Sequence, residues 1–198
     1  MVRSRESSRT ATAVLLAAVA LSGLCEAGGP SVAAEATPPT DGRIGFDFET
    51  GDLQGWRVVE GRFDRTVADF AFFHNRPKVR YNKEGRFYLN TLERADGSRT
   101  DRMTGVLESP VFRLTGPDIT FLVGGGRHKG TYVALCTADG EEVRRARGRN
   151  TETMDRTTWQ VPDLVGRPLF LRIVDRNTGG WGHVTFDDFR ARGRVDEA

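Results

Sequence analysis

Between Ile44 and Phe189 the chain is a succession of short apolar runs separated by turn residues. No stretch there keeps the 3.6-residue periodicity of an amphipathic helix. A core built from such runs must be a core of strands. Phe46 and Phe48 alternate with Asp47 and Glu49, the pattern of a strand with one face buried. Trp56–Val59 follows a Gly51-Asp52 turn, and Arg86–Leu89, Val106-Leu107, Val111-Phe112 and Ile119–Val123 continue the series. Thr131–Cys136 and Glu142-Val143 flank Asp139-Gly140, a hairpin signal because glycine accepts the positive φ of a tight turn. Trp159–Val161, Leu169–Val174 and Val184–Phe189 complete it. Turns recur at the short intervals of an all-β sandwich. The region from Asp64 to Lys83 reads as a loop carrying Phe70, Phe72, Phe73 and His74.

The expected organisation is an export signal at residues 1–36, a linker at 37–43, the β domain at 44–191 and a short tail at 192–198. Arg3, Arg5 and Arg9 precede the apolar run Ala11–Leu24, and small residues follow at Ala33-Ala34 and Ala36. This reads as a secreted, extracytoplasmic protein, and no apolar run is long enough for a membrane span. Cys25 also allows a lipoprotein reading, but Leu24 stands where a small residue is preferred. If Cys25 leaves with the leader, Cys136 is the one cysteine left. The domain then has no internal disulfide and rests on its core or a metal. Lys and Arg number 29 against 27 Asp and Glu, spread along the chain, which is no footprint for nucleic acid. Arg144, Arg145, Arg147 and Arg149 read first as a solvated strand face and second as an anion site.

Three constellations carry possible chemistry. Glu49 ends the first strand, and Asp187 and Asp188 lie in the last. If the terminal strands are neighbours, these hard oxygen ligands suit a structural calcium ion; the plainer reading pairs them with Arg43 or Arg190. Gly124, Gly125 and Gly126 precede Arg127 and His128 without the lysine or helix of a phosphate loop. They suit close approach of a ligand or another backbone, or a simple turn. Asp175 to His183 packs Asp, Asn, Gly, Trp and His together. Trp181 can serve as a platform for a sugar ring whose hydroxyls polar neighbours grip, or it can fill the core. Asp175 and Glu152 are the carboxyls on offer for glycoside hydrolysis, but no nucleophile or metalloprotease motif accompanies them.

FDFETGDLQGW (Phe46–Trp56), LESPVFRL (Leu107–Leu114), FLVGGG (Phe121–Gly126), TYVALC, GRNTE and IVDRNTGGWGHVTFDDF (Ile173–Phe189) together resemble carbohydrate-binding module family 66. This is the fructan-binding module joined to bacterial levanases of glycoside hydrolase family 32. The resemblance spans Ile44 to Arg190. It implies a jelly-roll β-sandwich of two antiparallel sheets, bound calcium, and non-catalytic recognition of terminal fructosyl units of levan or inulin. Carried over, it makes Glu49 with Asp187 or Asp188 the metal candidates. Arg149, Asn150, Asp175, Trp181 and His183 become ligand candidates, joined by Arg127 and His128 from the glycine turn. The expected partners are an oligo- or polysaccharide and a secreted glycoside hydrolase, with the domain itself a monomer. The basic Arg127-His128-Lys129 departs from the family pattern and leaves an acidic glycan open. The alternatives are an extracytoplasmic protein-interaction domain on the same scaffold, or a glycoside hydrolase.

Overall fold

The computed structural model describes residues 42–69 and 80–196. The expected leader, Cys25, most of the linker and the loop from Phe70 to Pro77 lie outside the described residues. Among the described residues eleven strands run in chain order: β1 (Arg43–Phe46), β2 (Arg57–Gly61), β3 (Val67–Ala68), β4 (Tyr88–Asn90), β5 (Gly105–Glu108), β6 (Phe112–Gly125), β7 (Thr131–Thr137), β8 (Glu142–Ala146), β9 (Thr151–Gln160), β10 (Pro168–Asp175) and β11 (Val184–Val195). One short 3-10 turn, Pro162–Leu164, is the sole helical element among the described residues.

All pairings are antiparallel. One half of the fold has the order β2-β5-β10-β7-β8. In the other half β11 pairs with β6 along one edge and with β4 and then β1 along the other, while β9 flanks β6 and β3 flanks β4. The expected two sheets are continuous at one corner, where Phe112 and Arg113 pair with Leu169 and Pro168. The result is a curled antiparallel sheet folded into a jelly-roll-type β-sandwich. Leu107, Val133, Leu135, Leu171 and Ile173 of one half meet Ile44, Phe46, Ile119, Phe121, Phe186 and Phe189 of the other in a single core. Aromatic rings organise it: Trp56 lies 5.6 Å from Phe46 and 5.5 Å from Phe186, and Phe121 lies 4.6 Å from Trp159. Cys136 is fully buried on the opposite sheet face, and burial pushes its thiol up to about 11.

The strand signals are met where apolar alternation is strong. Phe46 and Phe48 are buried while Asp47 and Glu49 are exposed, and Asp139-Gly140 makes the β7–β8 turn with Gly140 at φ 89°. Two elements extend further than expected. β11 continues through residues 192–195, where Gly193 to Val195 pair with β6. β9 begins at Thr151, well before the apolar signal at Trp159, because its early inward positions are Glu152 and Met154. That buried glutamate leads to the site.

Candidate functional site

The loop between β10 and β11 spans residues 176–183, and its two ends are tied by one residue from outside it. Thr91 donates its hydroxyl to Asp175 Oδ2 at 2.7 Å, and the Thr91 Oγ1 accepts the Val184 N–H at 2.9 Å. Asp175 is fully buried, and burial pushes its carboxyl up to about 7. It therefore sits beneath the loop as an anchor.

The triple glycine forms the other wall. Gly126 donates its N–H to the His183 carbonyl at 2.9 Å. A Cβ on Gly126 would collide with the Trp181 carbonyl oxygen, and one on Gly125, which sits at φ 87°, with the His183 carbonyl oxygen. The close approach that the glycines permit is thus that of the Trp181–His183 backbone. Asn150, at φ 57°, supports the same corner: its N–H donates to Gly125 O and its Oδ1 accepts the Arg127 N–H, both at 2.9 Å. His128 Nε2 lies 3.2 Å from the Gly180 carbonyl.

A cleft of about 270 Å³ opens here, lined by Arg99, Asp101, Glu152, Gly180, Trp181 and His183. Trp181 is half-buried, adopts φ 63°, and its ring lies 5.7 Å from that of His183. A left-handed backbone at a bulky residue is strained, and such strain concentrates at functional positions. His183 is buried between two carboxylates. Its Nδ1–H donates to Asp101 Oδ1 at 2.7 Å, and its Nε2 lies 3.3 Å from Glu152 Oε2. Burial opposes its charge, but Asp101 and Glu152 outweigh burial and raise the imidazole to about 9. Asp101 in turn is held below the usual carboxylate range: burial opposes this, and the His183 hydrogen bond and charge overcome it. At neutral pH His183 is a cation with both ring nitrogens protonated, hence a fixed donor and not a free base.

Trp181 and His183 therefore line the cleft. Asp175 lies beneath it, Asn150 braces its wall, and Arg127 and His128 are exposed on the adjoining turn. Arg149 is exposed and pairs with Asp155 at 3.3 Å, outside the lining. Arg99 and Asp101 carry no sequence signal, since Ala95–Arg102 reads only as a polar turn. Glu152 leaves one: an acidic residue at an inward strand position.

The metal candidates sit elsewhere. Glu49 accepts the N–H of Arg86 at 2.9 Å and of Phe87 at 2.8 Å, and Asp187 accepts those of Glu84 at 2.9 Å and Asp188 at 2.7 Å. Both carboxylates thus hold one turn, residues 84–87. Burial raises Asp187 to about 7, with the charges of Asp188 and Glu49 adding to the effect. Asp188 is clamped by Arg156 at 2.6 Å and Arg190 at 2.7 Å. Among the described residues no group of three or more His, Cys, Asp or Glu is arranged to hold a metal ion.

No family model matches the chain. The Aspergillus rugulosus protein named "Putative glycosyl hydrolase ecdE" is 30% identical over 156 residues, which is 75% of this chain and 21% of that protein. The chain thus spans about a fifth of the length of the curated relative it matches. Among solved structures, the K1 cleaved adhesin domain of Lys-gingipain from Porphyromonas gingivalis W83 is 14% identical, covering 79% of this chain and 99% of that one, with a TM-score of 0.48. TmCBM61, solved with β-1,4-galactotriose, is 19% identical, covering 74% and 94%, with a TM-score of 0.46. Among the described residues no helix is long and apolar enough to cross a membrane.

Proposed function

We propose that this domain is an exported, non-catalytic carbohydrate-binding module whose cleft takes the terminal sugar unit of a glycan, with fructans as the ligand class. The observation that carries this reading is the cleft itself. One half-buried Trp181 stands beside a fixed donor, His183, and the acceptors Asp101 and Glu152, the mixture that grips a ring with an apolar face and a polar edge. The fructan assignment rests on the resemblance of the quoted segments to family 66 modules. A relative named as a glycosyl hydrolase, matched over about a fifth of its length, supports a module that serves such an enzyme. Catalysis is not part of the reading. Asp175 is buried beneath the loop and Asp101 is committed to His183, so neither is placed as a free acid or nucleophile.

Calcium belongs to the same proposal as a structural ion. Glu49 and Asp187 would hold it beside the turn at residues 84–87, whose Gly85 and Arg86 carbonyls accept the Lys83 ammonium at 2.7 and 2.6 Å. Two carboxylates on one turn, one of them buried, suit a hard cation that takes several oxygens. Asp188, already bound by two arginines, would not take part. Such an ion would supply rigidity by tying the turn to the first and last strands.

The test is calorimetric titration of the domain with levan, inulin and fructose. Saturable binding to a fructan that is lost in Trp181→Ala supports the reading. A folded domain that ignores all three sugars removes the fructan assignment, and silence across a broad glycan array removes carbohydrate binding altogether.

A further inference from the structure

The outer face formed by β1, β11 and β6 carries three exposed arginines, Arg43, Arg190 and Arg192. In register, Arg43 of β1 stands directly opposite Arg192 of β11. Gly45 stands opposite Arg190, which faces Thr120 of β6 on its other side. Residues directly opposite one another project to the same face, and like charges so placed destabilise a sheet. Gly45 leaves the floor beside them open: a Cβ there would meet only the Phe189 carbonyl, at 3.8 Å. These residues line a groove of about 660 Å³. The acidic groups of the groove are already engaged. Asp188 lies 2.6 Å from Arg156 and 2.7 Å from Arg190. Asp118 accepts from Gln160 Nε2, and Asp47 accepts from Gln54 Nε2 at 2.9 Å and from the Glu49 N–H at 3.1 Å. Arg43 has no ion-pair partner among the described residues. Arg192 lies across Gly116, where a Cβ would come 2.6 Å from its Nε.

An unpaired guanidinium opposite a second one calls for an anion, and a carboxylate meets arginine's planar fork with two parallel hydrogen bonds. The arginine stems add apolar surface, while Thr120, Asp47 and Asp118 offer oxygens that accept hydroxyls. A uronic acid unit presents the matching mixture: a carboxylate, hydroxyls and an apolar ring face. We infer that the groove is a second saccharide site, which takes the carboxylate of an acidic sugar unit between Arg43 and Arg192. An anion held there relieves the repulsion between the two opposed arginines. The groove shares no lining residue with the Trp181 cleft, so the inference goes beyond the reading above and does not depend on fructan binding.

The test is calorimetric titration of the full chain with trigalacturonate and with its methyl ester, which keeps the rings and removes the charges. Melting curves establish folding. The expected result is saturable binding of the acid that weakens as salt rises. Arg43→Gln and Arg192→Gln should each weaken it about 10-fold or more, the ester should not bind, and Trp181→Ala should bind the acid as the wild type does. Arg43 is exposed and its removal relieves a like-charge pair, so Arg43→Gln should melt no lower than the wild type. It therefore carries the test even if Arg192→Gln fails to fold. A wild type that ignores trigalacturonate overturns the inference and leaves the fructan reading standing, since levan and inulin test that separately. Binding of the acid that stays at full strength in Arg43→Gln, or that is lost in Trp181→Ala, puts the acid elsewhere and overturns the groove site. Equal binding of the ester overturns it too, because the carboxylate is then not what is recognised.

Discussion

The charge state of His183 gives the most direct test of the site's electrostatics. Its folded pKa of about 9 lies above the ordinary 6.5 because Asp101 and Glu152 outweigh burial. A difference of about 2.5 units corresponds to about 3 kcal/mol of folding free energy. Because the folded value is the higher one, that contribution is complete below about pH 6.5, declines as pH rises, and is gone above about pH 9. The perturbation is Asp101→Asn, which keeps the side chain's shape and removes the charge 2.7 Å from Nδ1. Only Glu152 then supports the imidazolium, so the pKa should fall well below that of the wild type. In Asp101→Asn/Glu152→Gln burial is opposed only by the weaker charge of Asp175, so the pKa should fall further and the loss of stability with rising pH should shrink or reverse. The assays are NMR titration of the His183 ring, assigned by substitution, and urea unfolding at pH 6, 8 and 10. A wild-type His183 that titrates near 6.5, or a double variant that keeps the wild-type slope, refutes the argument that two carboxylates hold this cation in place.

Other outcomes follow from the same geometry. Asp175→Asn should flatten the fall in stability between about pH 4 and pH 7, since burial raises this carboxyl from 3.8 to about 7 and its ionisation opposes folding across that window; urea unfolding against pH reads it. Gly126→Ala should destabilise the domain by about 2 kcal/mol or more and abolish sugar binding, because the new Cβ displaces the Trp181 carbonyl; thermal melts and calorimetry read the two effects. Trp181→Gly should be more stable than Trp181→Ala by about 1 kcal/mol, since only glycine relaxes the positive φ, while both lose saccharide binding. Calcium should raise the melting temperature of the wild type and have no effect on Glu49→Gln; equal melting in calcium and in chelator removes the proposed ion.

The sequence by itself determined the fold class, because short apolar runs between closely spaced turns leave only strands to build the core. Phe46, Leu171, Ile173 and Phe186 declare a buried strand face to any reader of the chain. It also pointed to Trp181 and His183, since a tryptophan and a histidine among glycines are conspicuous. Only the tertiary structure decided what surrounds them. Glu152 lies on a strand whose inward face is partly polar, so its alternation is hidden. Asp101 belongs to a turn that has no pattern, yet it ends 2.7 Å from a histidine 82 positions later in the chain. Asp175 looks like a ligand in sequence, but the fold places it under the loop, bonded to Thr91 from a segment 84 residues away. The physical reason is that periodicity records which residues avoid water. The meeting of polar groups from distant turns depends on how the strands curl, and that is set by the packing of the whole core.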